Sequence, residues 1–315
     1  MCVQKQMQKT CYNSDIHHCL GSKFQDDQAM RAVKLNDGFS LPMFGIGTFQ
    51  LKGEVCFETV QTALSNGYKL IDTASIYKNE EDVGAAIRAS GVPRSMIFVT
   101  TKISPFQAGY DGALKAINES VKKLGLDYID LCLMHWPGSS GINSMDPLQL
   151  EKRISTWQAL EAAKKLGQVR SIGVSNFTPR HLDHLCSSQL VSILPAVNQI
   201  EIHPYYPQLE LVSYCKSKNI ALQAYSSLGQ GKLLEDATVQ RIATRCKCNA
   251  AQVCLKWALQ HEYAVIPRSS NADRIRENVL ATEEKLTILE EDMAALDALH
   301  FDNLQKFCWD PEMVI

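Results

Sequence analysis

A (β/α)8 barrel of parallel strands, closed at its bottom by an N-terminal hairpin, is the fold this sequence predicts. Three observations point to it. From Met43 onward, short apolar runs alternate with amphipathic stretches. The runs cover residues 44–48, 70–74, 98–102, 130–135, 171–175, 196–200, 221–226 and 264–269, and eight is the number that closes a parallel barrel. Several runs also end on polar residues of unlike chemistry, as expected where parallel strands gather ligands at their carboxyl ends.

The elements follow in chain order. Val33-Lys34-Leu35 and Ser40-Leu41-Pro42 flank Asn36-Asp37-Gly38, where Asp-Gly supplies the positive φ angles of a tight hairpin turn; this hairpin is expected to seal the barrel bottom. Val55, Val60, Ala63 and Leu64 share a helical face before the Asn66-Gly67 stop, glycine being suited to the left-handed C-terminal conformation. Ala113, Ile117, Val121 and Leu124 repeat the pattern before Gly125, and Ile154, Trp157, Leu160 and Ala163 repeat it before Gly167. Val239, Ile242 and Ala243 carry the same spacing later in the chain. The rival doubly wound sheet would need a dinucleotide fingerprint, and Gly45-Ile46-Gly47-Thr48-Phe49-Gln50 lacks its third glycine.

Composition narrows the function. The chain has 315 residues, 45% hydrophobic and 21% charged, with net charge -2. That suits one core-bearing barrel domain over residues 31–315 and offers neither nucleic acid nor an anionic membrane surface a basic stripe. No run approaches the roughly 18 apolar residues of a membrane span. Of the 11 cysteines, Cys56, Cys132, Cys186, Cys215 and Cys254 sit singly within strand and helix patterns, which reads as reduced thiols in a cytoplasmic protein. Residues 1–30 show neither an apolar run nor a helical stripe and are expected to be a disordered extension without a signal or transit sequence. Within it, Cys11, His17, His18 and Cys19 match no standard zinc spacing, and no metal is expected.

Four groups stand where separate strands end: Asp72 and, just beyond it, Tyr77; Lys102; and His135. Gathered at one rim, an acid, a phenol, an amine and an imidazole are expected to form a reaction centre.

These motifs carry a resemblance. The segment 67–80 (Gly67-Tyr68-Lys69-Leu70-Ile71-Asp72-Thr73-Ala74 with Tyr77 and Asn79-Glu80), Leu133 to Pro137, Gly173-Val174-Ser175-Asn176-Phe177, Asn198-Gln199-Ile200-Glu201-Ile202-His203-Pro204 and Ile266-Pro267-Arg268-Ser269 are similar, in this order, to signatures of the aldo-keto reductase family. The chain resembles that family over about residues 33–310, and looks most like its diketogluconate-reductase-like and xylose-reductase-like members. The resemblance implies NADPH-dependent reduction of aldehydes and ketones to alcohols in a (β/α)8 barrel, with a small-molecule carbonyl substrate and a monomer or weak homo-oligomer. Hydride reduction of a carbonyl leaves an alkoxide, which needs a proton donor and neighbouring charge or hydrogen bonds, and Tyr77 is then the expected donor. A free phenol has a pKa of about 10, so Lys102 is expected to favour the phenolate, with Asp72 holding the lysine charged and His135 orienting the carbonyl.

It also implies the cofactor contacts. Arg268, Ser269 and Arg274 would grip the 2′-phosphate of NADPH, arginine standing at 268 where the family usually has lysine. Glu277 and Asn278 would meet the adenine; Ser175, Asn176 and Gln199 the carboxamide; Tyr225 the nicotinamide face; and Gly47, Thr48, Ser226 and Leu228 the rest of the cofactor. Ser227-Leu228-Gly229-Gln230-Gly231-Lys232 runs almost directly into Leu233, where many members carry a long loop over the pyrophosphate, so the cofactor is expected to be less enclosed. Phe49, Trp136, Phe307 and Trp309 would wall an aromatic substrate pocket. An alternative of another class is an NADP-sensing binding subunit similar to potassium-channel β subunits, which also carry N-terminal extensions, as this chain does over about its first 30 residues.

Overall fold

The hairpin forms where Asp37-Gly38 predicts it. In the computed structural model, which describes residues 31–315, β1 (Ala32–Lys34) pairs antiparallel with β2 (Ser40–Pro42), Val33 opposite Leu41. Gly38 takes φ 91° at the turn. Asn36 Nδ2 donates to the carbonyl of Pro195, 2.9 Å away and just before a barrel strand begins, which puts the hairpin at the amino-terminal end of the strands. The expected extension over residues 1–30, with Cys11, His17, His18 and Cys19, lies outside the described residues.

Eight parallel strands follow: β3 (Gly45–Gly47), β4 (Leu70–Asp72), β5 (Phe98–Ile103), β6 (Ile129–Met134), β7 (Val169–Ser175), β8 (Val197–Glu201), β9 (Ala221–Tyr225) and β10 (Ala264–Val265). Each pairs with the next in sequence, and a parallel bridge between Phe44 and Val265 joins the last to the first. Val265 N donates to Met43 O at 2.8 Å and Gly47 N to Pro267 O at 3.1 Å across that seam. The two glycines of β3 are there for proximity: a Cβ on Gly45 would lie 2.6 Å from Leu70 O, and one on Gly47 2.9 Å from Ile266 O. They let neighbouring backbone approach, which is why Gly-Ile-Gly here is a strand motif.

Helices α1 (Gly53–Ser65), α2 (Glu80–Ala89), α3 (Tyr110–Leu124), α4 (Leu148–Lys165), α5 (Pro179–Cys186), α6 (Leu209–Ser217), α7 (Ala237–Cys246), α8 (Ala250–Gln260) and α9 (Ala272–Val279) lie between and after the strands, followed by α10 (Glu290–Asp297) and α11 (Leu299–Asn303). Val60, Ala63 and Leu64 of α1 are buried as their spacing requires, but Val55 is exposed and Cys56 starts the buried stripe instead. Helix α3 ends on Gly125 in the left-handed conformation, φ 60°. Where α2 crosses α3, Gly84 faces the Leu124 carbonyl so closely that a Cβ would overlap it. The last strand is shorter than the expected 264–269 run: Pro267 has no N–H with which to continue the ladder, and residues 266–269 continue beyond the strand. None of the helices among the described residues is long and apolar enough to cross a membrane.

Candidate active site

The rim at the carboxyl ends of β4, β5 and β6 brings the four expected groups together. Register staggers them: Asp72 pairs with Thr100 and Lys102 with Leu133, so Lys102 and His135 each stand two residues farther along than the previous group's partner, and the long Lys102 side chain closes the gap to Asp72. Lys102 Nζ donates to Asp72 Oδ1 at 2.5 Å and to Thr73 O at 2.8 Å. Asp72 Oδ2 accepts from Gln199 Nε2 at 2.7 Å. Both ions are buried, so burial pulls the Lys102 pKa down and the Asp72 pKa up, and each opposes the shift of the other.

Tyr77 closes a single 3-10 turn, Ser75–Tyr77, which Lys78 stops by turning left-handed at φ 56°. The turn is fastened to β5 by Ser75 Oγ, which donates to Lys102 O at 2.9 Å. The Lys102 ammonium then lies 5.1 Å from the Tyr77 ring centroid, with Phe49 tilted against the same ring at 5.1 Å and His135 edge-on at 5.6 Å. Asn79 holds the loop from behind, donating to Thr48 O and Leu51 O, both at 2.9 Å, and accepting from Thr73 Oγ1.

The electrostatics correct one expectation. Lys102 does not bring the phenol's pKa down toward the physiological range; burial first, and then the Asp72 carboxylate, push the Tyr77 pKa well up, because a phenolate loses its hydration in the buried site. Burial also pulls His135 down to about 3, helped by Lys102, so its imidazole is neutral at physiological pH. His135 Nδ1 is buried without a hydrogen-bond partner among the described residues.

The strand ends β7 to β9 carry a second polar cluster. Asn176 sits at φ 64°, a backbone state that asparagine tolerates better than most side chains. Its Nδ2 donates to His135 O at 3.0 Å and Ser175 Oγ at 3.1 Å, and its Oδ1 accepts from the Tyr225 hydroxyl at 2.6 Å. Ser175 Oγ donates to Gln199 O at 2.8 Å, and Gln199 Nε2 reaches Gln223 Oε1 at 2.6 Å as well as Asp72. Ser175, Asn176, Gln199 and Tyr225 thus form one network that reaches Asp72. Gln223, fully buried with Nε2 unpartnered among the described residues, belongs to it and was not anticipated; its polar amide inside the apolar run 221–226 was the available signal.

Gly47 and Thr48 stand at the seam, Thr48 Oγ1 donating to Asp72 O at 2.9 Å. Arg268 and Arg274 flank the amino-terminus of α9; both are exposed, and neither joins an ion pair with a described residue. Ser269 Oγ accepts from Asn271 N at 3.1 Å, and Asn271 Oδ1 caps the helix at Arg274 N, 3.0 Å away. Two uncommitted guanidinium groups beside a helix amino-terminus fit a phosphate by charge and by dipole. Glu277 is exposed and accepts from Asn249 Nδ2 at 3.2 Å, whereas Asn278 is buried. Ser226 and Leu228 begin the short connection to the 3-10 segment Gly229–Glu235, with no long loop between. Of the four aromatic residues expected around the pocket, Phe49 touches Tyr77, Phe307 packs on His203 at 5.2 Å, Trp136 faces Pro105 and Arg153, and Trp309 is 83% exposed.

A family model described as "Aldo/keto reductase family" matches residues 43–300. The chain belongs to the aldo/keto reductase family. It is 44% identical over 271 residues to a glyoxal reductase of Bacillus subtilis, covering 86% of this chain and 93% of that one. It is 39% identical over 295 residues to a glycerol 2-dehydrogenase (NADP(+)) of Saccharomyces cerevisiae, covering 88% and 93%. A crystal structure of an aldo/keto reductase from Brucella melitensis superposes with a TM-score of 0.79 at 41% identity, covering 86% of this chain and 99% of that one. This aldo/keto reductase is therefore an oxidoreductase built on a parallel barrel, and the site above is its candidate reaction centre.

Proposed function

We propose that this aldo/keto reductase reduces aldehydes and ketones to alcohols with NADPH, Tyr77 delivering the proton. The observation that carries the reading is the meeting of a buried phenol, a Lys102–Asp72 ion pair and a neutral imidazole at one rim. When bound, NADPH supplies the hydride.

The residues then divide the remaining work. Tyr77 keeps its proton at neutral pH because burial and Asp72 raise its pKa. An alkoxide is a stronger base than a phenolate, so the proton moves from Tyr77 to the nascent alcohol without prior ionisation. Lys102 then faces the phenolate that remains, 5.1 Å from the ring centroid, and steadies it until a proton returns from solvent. His135 offers an uncharged imidazole to the carbonyl oxygen, which positions the substrate without placing a second acid beside the first. Ser175, Asn176 and Gln199 would hold the nicotinamide carboxamide and Tyr225 the ring face, and Arg268, Ser269 and Arg274 would grip the 2′-phosphate. The relatives named for a glyoxal reductase and an NADP(+) dehydrogenase support this choice of cofactor and of small carbonyl substrates. Among the described residues, no observation favours the NADP-sensing subunit.

The test is loss of NADPH absorbance with a panel of aldehydes and ketones, beside NADH and a Tyr77→Phe variant. Turnover should prefer NADPH, and Tyr77→Phe should lower kcat by about 10²–10⁴-fold while leaving NADPH affinity unchanged. Undiminished turnover in the variant would remove Tyr77 from the reaction.

A further inference from the structure

Glu201 closes β8 at the same rim as the catalytic group, yet no step of the reduction uses it. Its carboxylate is fully buried and is supplied with donors from two directions. Oε1 accepts from the backbone N–H of Phe307 at 2.6 Å and lies 3.1 Å from His203 Nε2. Oε2 accepts from the backbone N–H of Cys308 at 3.0 Å, with the Lys306 ammonium 3.7 Å away. One side chain therefore fastens three consecutive residues of the C-terminal tail. Burial alone would raise its pKa, but the hydrogen bonds from His203 and Phe307 outweigh it and hold Glu201 below its ordinary range, so the fastener is an anion.

What it fastens stands next to the reaction centre. Phe307 packs on the His203 ring at 5.2 Å and against Gly229, where a Cβ would lie 3.1 Å from its ring edge. Cys308 Sγ lies 3.4 Å from Ser226 Oγ, just after the end of β9, and burial pushes its thiol pKa up. Farther along, the tail is tied again beside the neighbouring strands: Val314 O lies 2.8 Å from His181 Nε2 on α5, which follows β7, and Ile315 N donates to Ser144 O at 2.9 Å in the connection after β6. The tail thus runs along the rim from β8 toward β6, with Glu201 as its near anchor and the exposed Trp309 in its span.

We propose that Glu201 is a positioning residue which, by clamping Phe307 and Cys308, sets how well the site binds bulky aromatic carbonyl substrates relative to small ones. This rests on the reductase reading of the site. An aromatic aldehyde needs the Phe307 wall in place, whereas a two-carbon dicarbonyl reaches Tyr77 without touching it. Loosening the clamp therefore weakens binding of the first and leaves the second alone.

Glu201→Gln keeps the shape, removes the charge and turns one acceptor into a donor. In this variant, amide hydrogen exchange of the tail peptide containing residues 307 and 308 should quicken by about tenfold or more, because hydrogen bonds to a charged acceptor are lost. KM for benzaldehyde should rise by about tenfold, with kcat and the KM for glyoxal unchanged. Adding Glu201→Gln to Phe307→Ala should change the benzaldehyde KM no further. Should Glu201→Gln fail to fold, Cys308→Pro deletes the N–H that Oε2 accepts and leaves Glu201 in place; measured against Cys308→Ala, it should give the same split. Unchanged exchange in the tail, or an equal loss for both substrates carried in kcat, would overturn the assignment. If the unaltered protein reduces neither carbonyl, the reductase reading fails and the substrate role falls with it, while the exchange measurement still decides whether Glu201 holds the tail.

Discussion

Replacing Lys102 by Met and Asp72 by Asn, singly and together, separates what the buried pair does for the fold from what it does for the reaction. The two groups touch at 2.5 Å with almost no solvent on either. Lys102→Met leaves the Asp72 carboxylate with Gln199 Nε2 as its remaining side-chain donor; Asp72→Asn leaves a buried ammonium facing an amide and the Thr73 carbonyl. Removing one partner of such a pair costs about 3–5 kcal/mol, a large part of the 5–15 kcal/mol of a typical folded protein. The double variant removes both charges at once, so it should lose no more than either single variant, a coupling of about 3 kcal/mol or more. Urea unfolding followed by the fluorescence of the buried Trp157 and Trp257 measures all four proteins. Turnover should fall in Lys102→Met and stay low in the double variant, because in both the charge that faces Tyr77 is gone whether or not the fold recovers. Additive stability losses would refute the pair as a unit, and recovered turnover in the double variant would refute the need for the Lys102 charge.

Other outcomes follow from the same geometry. Arg268→Ala should raise the KM for NADPH about tenfold to a hundredfold, the loss of a charge-assisted hydrogen bond, with little change for NADH; equal losses for the two cofactors would place the arginine away from the 2′-phosphate. His181 accepts from Thr178 N through Nδ1 and faces Val314 O through Nε2, and burial first, then nearby Arg153 and Arg180, lower its pKa to about 4 against an ordinary 6.5. The unfolded chain therefore binds the proton first, so stability is flat above about pH 6.5 and falls as the pH drops toward 4, by about 2 kcal/mol at pH 5. His181→Gln should flatten that part of a urea-unfolding series against pH, and an unchanged slope would assign it to other groups. Gly84→Ala should destabilise by about 1–3 kcal/mol or more through overpacking between α2 and α3, whereas a Tm equal to the parent's would mean the two helices can part at no cost.

Much of the site was readable in the chain because strand ends advertise themselves. Apolar runs that stop at Asp72, Lys102 and His135 point to both the architecture and the rim, since neighbouring parallel strands end on the same side of the sheet. What escaped the reading is long-range. Glu201 and Gln223 are ordinary polar residues at ordinary strand positions, and only the return of the tail some hundred residues later gives Glu201 its partners. The sign of the shift at Tyr77 escaped for a related reason: it depends first on how deeply the folded chain buries the phenol, which no spacing encodes. The shortness of β10 follows from Pro267, a local signal that the apolar run masked.

The seam between β3 and β10 bears on how the polypeptide reaches this state at all. Phe44 and Val265 are neighbours across the seam, yet more than two hundred residues of chain separate them. A ribosome must release nearly the whole barrel before the first strand meets its last companion, and until then β3 and β9 each present an open edge to any other strand in reach. Contacts of such separation slow folding, so the nascent enzyme spends its most aggregation-exposed interval waiting for a two-residue strand. A chain cut before Ala264 would keep those edges for its lifetime and should be recovered as aggregate rather than as a smaller reductase.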